Sequence, residues 1–239
     1  MNYFEQGITW LNDPLNWTNP GGLLERLVEH LTISGLAVLL GCLVGWPIGI
    51  WLGHRGKGGN AVITVANLTL AIPTLALLTI LPLTPLGFGR PPVVVALAVF
   101  AVPPLLANAY TGLRQIDPET RDAAKGMGLS GGQLLRQVEL PLSVPYLAAG
   151  LRTAAVQVVA TAALASFVNG GGLGQIISAG FGLGMSQGGG GQIVAGGIVV
   201  ALLALIVEGV LAVVQRVVTP KPLRVRRRRR SAPAAVPAG

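Results

Sequence analysis

Between residues 193 and 214 the chain runs through 22 residues in which Glu208 is the one charged side chain. A helix needs about 20 predominantly apolar residues to cross the hydrocarbon core of a bilayer. Four other stretches have similar length and character, at residues 31–52, 61–81, 93–113 and 146–168. Five such spans use about 100 residues, and no remaining segment of the 239 is as large as an ordinary soluble domain. The composition agrees. Hydrophobic residues make up 51% and charged residues 11%, against about 25% charged in soluble domains. A soluble globular protein is excluded, and so are disordered and collagen-like chains despite 34 Gly and 17 Pro. The single cysteine, Cys42, excludes a disulfide framework and a Cys-based metal cluster; inside an apolar run it reads as a small buried residue. The first 25 residues have neither a cationic n-region nor a compact apolar h-region, so no cleaved signal peptide is expected. The expected fold class is therefore all-α and integral to the membrane, with about five transmembrane helices.

The 17 basic residues give that bundle an orientation. Arg55 and Lys57 follow the first span. Arg114, Arg121, Lys125 and Arg136 follow the third, with Arg152 just inside the fourth. Arg216, Lys221, Arg224 and the arginines at 226–230 follow the fifth. That places 15 on one side and two, Arg26 and Arg90, on the other. Cytoplasmic loops carry the excess of Lys and Arg, so the N-terminus is expected outside and the C-terminus in the cytoplasm. Residues 1–25 become an external segment, 26–220 a transmembrane domain with a cytoplasmic loop at 114–145, and 221–239 a basic tail expected to be disordered. A sixth span would separate the basic loop from the basic tail. The Gly-rich segment 166–192 is therefore expected to be an external loop with a re-entrant or interfacial helix. No aromatic residue interleaves the tail arginines, so the formal charge of +8 reads as topology plus attraction to anionic lipid, about 1 kcal/mol per basic residue, and not as nucleic-acid binding. Trp10 and Trp17 read as interfacial anchors.

The loop at 114–145 holds the clearest local signals. Asp117-Pro118 is an N-cap and N1 pair, and Glu119 and Asp122 favour the positive end of the helix dipole. Ala123, Ala124 and Met127 make a shallow apolar face, Gly128 ends the helix, and Gly131-Gly132 turns the chain. An amphipathic stretch, 133–138, then leads to Leu140-Pro141. A helix this short is unstable alone, which suits insertion into a groove of another protein.

This segment resembles the EAA motif of ABC-importer permeases, which reads Glu-Ala-Ala, three residues, Gly, nine residues, Ile, one residue, Leu-Pro. The chain has Asp122-Ala123-Ala124, Gly128, Val138 and Leu140-Pro141 in that register, with Asp122 and Val138 as conservative departures. The resemblance implies a MetI-like permease core whose coupling helix docks into an ATPase subunit, with Asp122, Ala123, Ala124, Gly128, Val138, Leu140 and Pro141 in the coupling element. Four further segments, beginning at Asn67, Pro103, Gly150 and Gly170, are similar to helices of osmoprotectant permeases for glycine betaine, carnitine and choline, so that the likeness runs from about Glu25 to Pro220. It implies a bacterial inner-membrane, multi-pass subunit working with ABC ATPase subunits, a second permease copy or paralogue, and an external substrate-binding protein, since 239 residues leave no room for a fused one. ATP and Mg belong to the ATPase; no Walker-type sequence occurs, so this chain is expected to bind no cofactor and to be no enzyme. A permease for another small solute, such as an amino acid or alkyl sulfonate, is the alternative, and a secondary transporter the more distant one.

Polar residues inside the spans are the candidates for the transport path. Thr153, Gln157 and Thr161 recur at i, i+4 and i+8 and share a face of one helix. Asn67 and Thr74 are seven residues apart, and Pro73 beside them opens or kinks a helix. Asn108 and Tyr110 are similar candidates. Interhelical hydrogen bonding is the competing role for all of them. Glu208, a carboxyl deep in an apolar span, is either functional or a structural contact. His54 has no second ligand at metal spacing, so no metal site is expected.

Overall fold

The computed structural model describes residues 2–219, apart from the side chains of residues 60, 63, 65, 67, 70 and 186; the tail at 221–239 lies outside the described residues. Among those described, no strand occurs. The chain opens with α1 (Tyr3–Asn12) and α2 (Leu15–Thr18), then α3 (Leu23–Arg55), α4 (Gly59–Ala71), α5 (Thr74–Ile80) and α6 (Arg90–Arg114). There follow α7 (Pro118–Gly126), α8 (Gly131–Leu134), a π-turn at Leu135–Glu139, α9 (Leu140–Thr161) and a 3-10 stretch at Ala162–Val168. The order ends with α10 (Gly174–Leu183) and α11 (Gly189–Val218).

Four helical stretches among the described residues are long and apolar enough to cross a membrane: Leu15–Arg55, Arg90–Arg114, Gly131–Val168 and Gly189–Val218. The second expected span, 61–81, is not one helix. Ile72 is extended with ψ 122°, and α4 and α5 hold only 13 and 7 residues on either side. Proline disfavours the helical conformation of the residue before it, so the break falls immediately ahead of Pro73. The seven-residue spacing of Asn67 and Thr74 therefore does not place them on one helical face. The N-terminal segment is also more ordered than its polarity implies. Asn2 accepts the Glu5 amide at 2.9 Å while the Glu5 carboxylate accepts the Asn2 amide at 3.2 Å, a capping box that starts α1. Gly190 and Gly191 of α11 leave the room that Tyr3 and Gln6 of α1 occupy.

The centre of the bundle is the seam between α3 and α6. Gly41, Gly45, Gly49 and Gly53 form one stripe on α3, and all four are buried. A Cβ on Gly41 would lie 2.7 Å from Ala101 Cβ, on Gly49 2.6 Å from the Leu106 carbonyl oxygen, and on Gly53 2.9 Å from Leu113 Cβ. Without water inside a bilayer there is little hydrophobic force between helices, so close backbone approach through small residues supplies the attraction. The same device joins α6 to α9, where Gly112 meets Tyr146 and Gly150 meets Asn108. The core beside these seams includes Ile33, Ala37, Leu97, Ala101, Leu105 and Val158. By contrast, Leu202, Leu205, Ile206, Val210, Val213 and Val217 leave α11 with a large exposed apolar face, as expected of a surface for lipid or another membrane chain.

At the end of the bundle opposite α7, the Gly-rich segment is strapped to α3. Gly171 and Gly172 have φ of +84° and +82°, a region open to glycine. A side chain there would meet Glu29 and His30 at 3.0 and 3.1 Å. Glu29 instead accepts the Gly172 amide at 3.0 Å and pairs with Arg26 at 2.8 Å and Arg90 at 2.7 Å. His30 Nδ1 accepts the Leu173 amide at 3.2 Å, so its Nε2 carries the proton donated to the Val159 carbonyl at 2.8 Å. The segment 166–192 thus holds a short helix, α10, of 10 residues, about 15 Å long and unable to span.

Candidate coupling site and transport path

The α7 helix stands between α6 and α8 at the end of the bundle where α3 and α6 finish and α9 begins. Its start is fixed by Asp117, whose carboxylate accepts the Glu119 amide at 3.0 Å, with Pro118 at the first position. Its stop is the glycine expected from the sequence. The last helical residue is Gly126, Met127 is the C-cap, and Gly128 lies beyond it at φ +86°. The Gly128 amide donates to the Lys125 carbonyl at 2.9 Å and the Leu129 amide to that of Ala124 at 3.3 Å. This is the Schellman arrangement, with glycine in the left-handed position. Nothing lies within 4 Å of a Cβ built on Gly128, so its backbone angle alone demands glycine. Gly128→Ala is expected to lower stability by about 1–2 kcal/mol, read as a modest fall in unfolding temperature of the purified protein.

The apolar residues of α7 do not share one face. Ala124 is buried, whereas Asp122, Ala123 and Met127 are exposed, Met127 by 74%. Lys125 and Asp122 approach at 3.4 Å on the exposed side. Val138 lies in the π-turn, and Leu140 and Pro141 start α9. Apart from Arg121 and Ala124, α7 is exposed throughout, and Asp122, Ala123, Lys125 and Gly126, with Met127 after them, form its exposed C-terminal half.

Beneath α7 is a cluster that motif reading passed over. Glu139, the residue between Val138 and Leu140, is 1% exposed. His54 Nδ1, from the last turn of α3, donates to Glu139 Oε2 at 2.5 Å. Arg121 Nε lies 3.2 Å from Glu139 Oε1, and a terminal nitrogen of Arg121 donates to the Leu113 carbonyl in α6. The sequence signal was available, because a carboxylate directly before Leu140-Pro141 sits where an apolar helix begins and needs a partner. His54, expected to bind no metal, is occupied by this carboxylate.

Within the spans, a second group forms around α9 and α11. Glu208 pairs with Arg152 on α9. Arg152 also donates to Gln215 Oε1 at 3.1 Å, and Gln215 donates to the Pro145 carbonyl at 3.2 Å. Arg152, Thr153, Gln157, Glu208 and Gln215 line one open cleft of about 620 Å³ together with Ala149 and Val156. Thr153 and Gln157 are therefore brought to a polar cleft, and Thr161 lies half-buried in the last turn of α9. The other candidates lie elsewhere. Asn108 donates to the Pro104 carbonyl at 2.8 Å and packs on Gly150 between α6 and α9. The Tyr110 ring lies against Gly59 at the start of α4. Pro73 is exposed and Thr74 half-buried at the break between α4 and α5, and Asn67 belongs to α4.

The described residues thus form a bundle of apolar helices with the short helix α7 and its Gly128 stop at one end. The family described as binding-protein-dependent transport system inner membrane component matches residues 45–220, and the chain belongs to it; it is a multi-pass inner-membrane protein. It is 42% identical over 207 residues to the glycine betaine/carnitine/choline transport system permease protein OpuCB of Bacillus subtilis (strain 168), covering 86% of this chain and 93% of that one. It is 41% identical over 204 residues to the choline transport system permease protein OpuBB of the same organism, covering 85% and 91%. Its fold is that of a chain of the MetNI methionine ABC transporter solved in inward-facing conformations, with a TM-score of 0.73 at 22% identity over 87% of this chain and 100% of that one.

Proposed function

We propose that this chain forms half of the transmembrane pathway for an osmoprotectant of the compact quaternary-ammonium class to which glycine betaine, carnitine and choline belong. The observation that carries the solute class is the 42% identity across nearly the full length of a glycine betaine/carnitine/choline permease. A second permease copy or a paralogue completes the pathway, two ATPase subunits dock on the exposed face of α7, and an external binding protein delivers the solute. ATP and Mg stay on the ATPase subunits, and this chain catalyses no reaction of its own.

Charge placement supports an orientation with the α7 end in the cytoplasm. Basic residues concentrate at that end, as positive-inside topology requires. The two at the opposite end, Arg26 and Arg90, are both paired with Glu29. The cleft between α9 and α11 is the best-supported wall of the pathway. Arg152 and Glu208 are 38% and 34% exposed there. Charged groups within a membrane-spanning helix face protein or a water-filled cavity rather than lipid, so this face belongs to water or to the second permease chain. Closure of the ATPase subunits on ATP pulls the two α7 helices together, and the bundles rock to open the pathway to alternate sides.

The test is uptake of radiolabelled betaine by cells that lack other osmoprotectant systems and express this chain with its ATPase and binding protein. ATP-dependent, saturable uptake competed by choline or carnitine is expected. Uptake of an amino acid or alkyl sulfonate with no competition by the three quaternary amines would contradict the solute class, and uptake without any ATPase would contradict the mechanism.

A further inference from the structure

We propose that Glu139 is a positioning residue that ties α7 to α3 and α9 through one buried carboxylate, so that movement of α7 is delivered to both at once. This rests on the docking role of α7 given above and adds the means by which docking becomes movement.

Apolar packing does not hold α7 in place, because Ala124 is its one buried residue. What holds it is polar, an ion pair and a hydrogen bond made by Arg121. Arg121 reaches from α7 to Glu139 Oε1 at 3.2 Å and to the Leu113 carbonyl in the last turns of α6. The other carboxylate oxygen of Glu139 receives His54 Nδ1 at 2.5 Å from the last turn of α3. Glu139 itself closes the π-turn that continues into α9. One carboxylate therefore joins α7, α3 and α9, and the Arg121 fork adds α6. The Arg121–Glu139 contact is a buried charge pair, and the directed hydrogen bonds of the cluster are those of Arg121 to the Leu113 carbonyl and of His54 to Glu139. The Lys125–Asp122 pair, on the exposed side of α7, takes no part. A π-turn within an otherwise α-helical path is a frequent mark of a functional position, and here it carries the carboxylate.

The experiment uses the complete transporter in lipid vesicles and measures ATP hydrolysed per solute imported. Glu139→Gln keeps the side chain's shape without its charge. Glu139→Gln combined with Arg121→Gln leaves no unpaired buried cation. In both, the ATP-to-solute ratio is expected to rise about tenfold or more, the scale of losing one partner of a buried charge pair. In both, a spin label on Glu119→Cys, exposed at the other end of α7, in a Cys42→Ala background, becomes more mobile. Glu139→Asp, which keeps the charge, is expected to recover most of the coupling. A wild-type ratio in the double variant would mean that Glu139 merely balances a buried charge, and would overturn the proposal. If neither variant assembles, His54→Gln leaves the Arg121 contact intact, and an unchanged ratio there would also overturn it. Failure of Ala123→Cys to cross-link to the ATPase in the otherwise unaltered chain would instead remove the docking reading beneath it.

Discussion

Replacing Gly49 by leucine is expected to prevent stable assembly of the bundle. The Cβ of any residue at this position would stand 2.6 Å from the Leu106 carbonyl oxygen and 2.8 Å from Ala109 Cβ. Neither is the end of a flexible side chain, so the helices must part. Parting at Gly49 also opens the adjacent contacts at Gly45 and Gly53, because all three lie on one stripe of α3 facing one stripe of α6. Inserting methylenes into a packed core commonly costs about 1–3 kcal/mol, and a rigid seam with backbone as the obstacle falls at or above the upper end. The control is Gly35, on the same helix, where nothing lies within 4 Å of the added Cβ. Gly35→Ala is expected to be neutral or to gain up to about 1 kcal/mol in helix propensity. Yield and unfolding temperature in detergent distinguish the pair, and equal behaviour of the two would mean that the seam does not hold the fold.

Ala123→Arg is expected to have the opposite profile, leaving the fold intact and removing transport. Ala123 is exposed on α7, so the substitution disturbs little inside this chain, and surface changes of this kind usually stay within about 0.5 kcal/mol. A bulky cation on a small-residue face that must enter another protein's groove is a different matter. Truncation or blockage at the centre of an interface commonly costs about 2 kcal/mol or more, so uptake is expected to fall by about tenfold to a hundredfold. Unfolding temperature and uptake, measured on the same preparation, separate loss of docking from loss of structure.

The spans were legible in the sequence because apolar runs of bilayer length have few other uses. The bounds shifted where polar residues also helix, as in α3, which begins at Leu23, ahead of its apolar run. The break ahead of Pro73 was legible as a kink but not as a full interruption, because neighbouring Pro103, Pro104 and Pro145 stay inside helices and only the packing decides. The cap at Asp117 and the motif spacing placed α7, whereas the division of its alanines between buried and exposed sides depends on what lies beneath it. The glycine stripe on α3 is written plainly at four-residue spacing, yet its meaning needs the partner α6. Long-range polar pairs were the least legible. His54 and Glu139 are 85 residues apart, and Arg152 meets Glu208 from another helix; periodicity along one helix carries no information about such pairings.

On the proposed function, α7 transmits the ATPase stroke to this membrane bundle. That role is tested most directly by replacing residues 122–128 with a flexible Gly-Ser segment of equal length and measuring ATP-driven solute uptake in vesicles that contain the ATPase and binding protein. The expected result is a folded bundle that no longer retains the ATPase through purification and imports nothing above background. Normal ATP-coupled uptake after that replacement would contradict it.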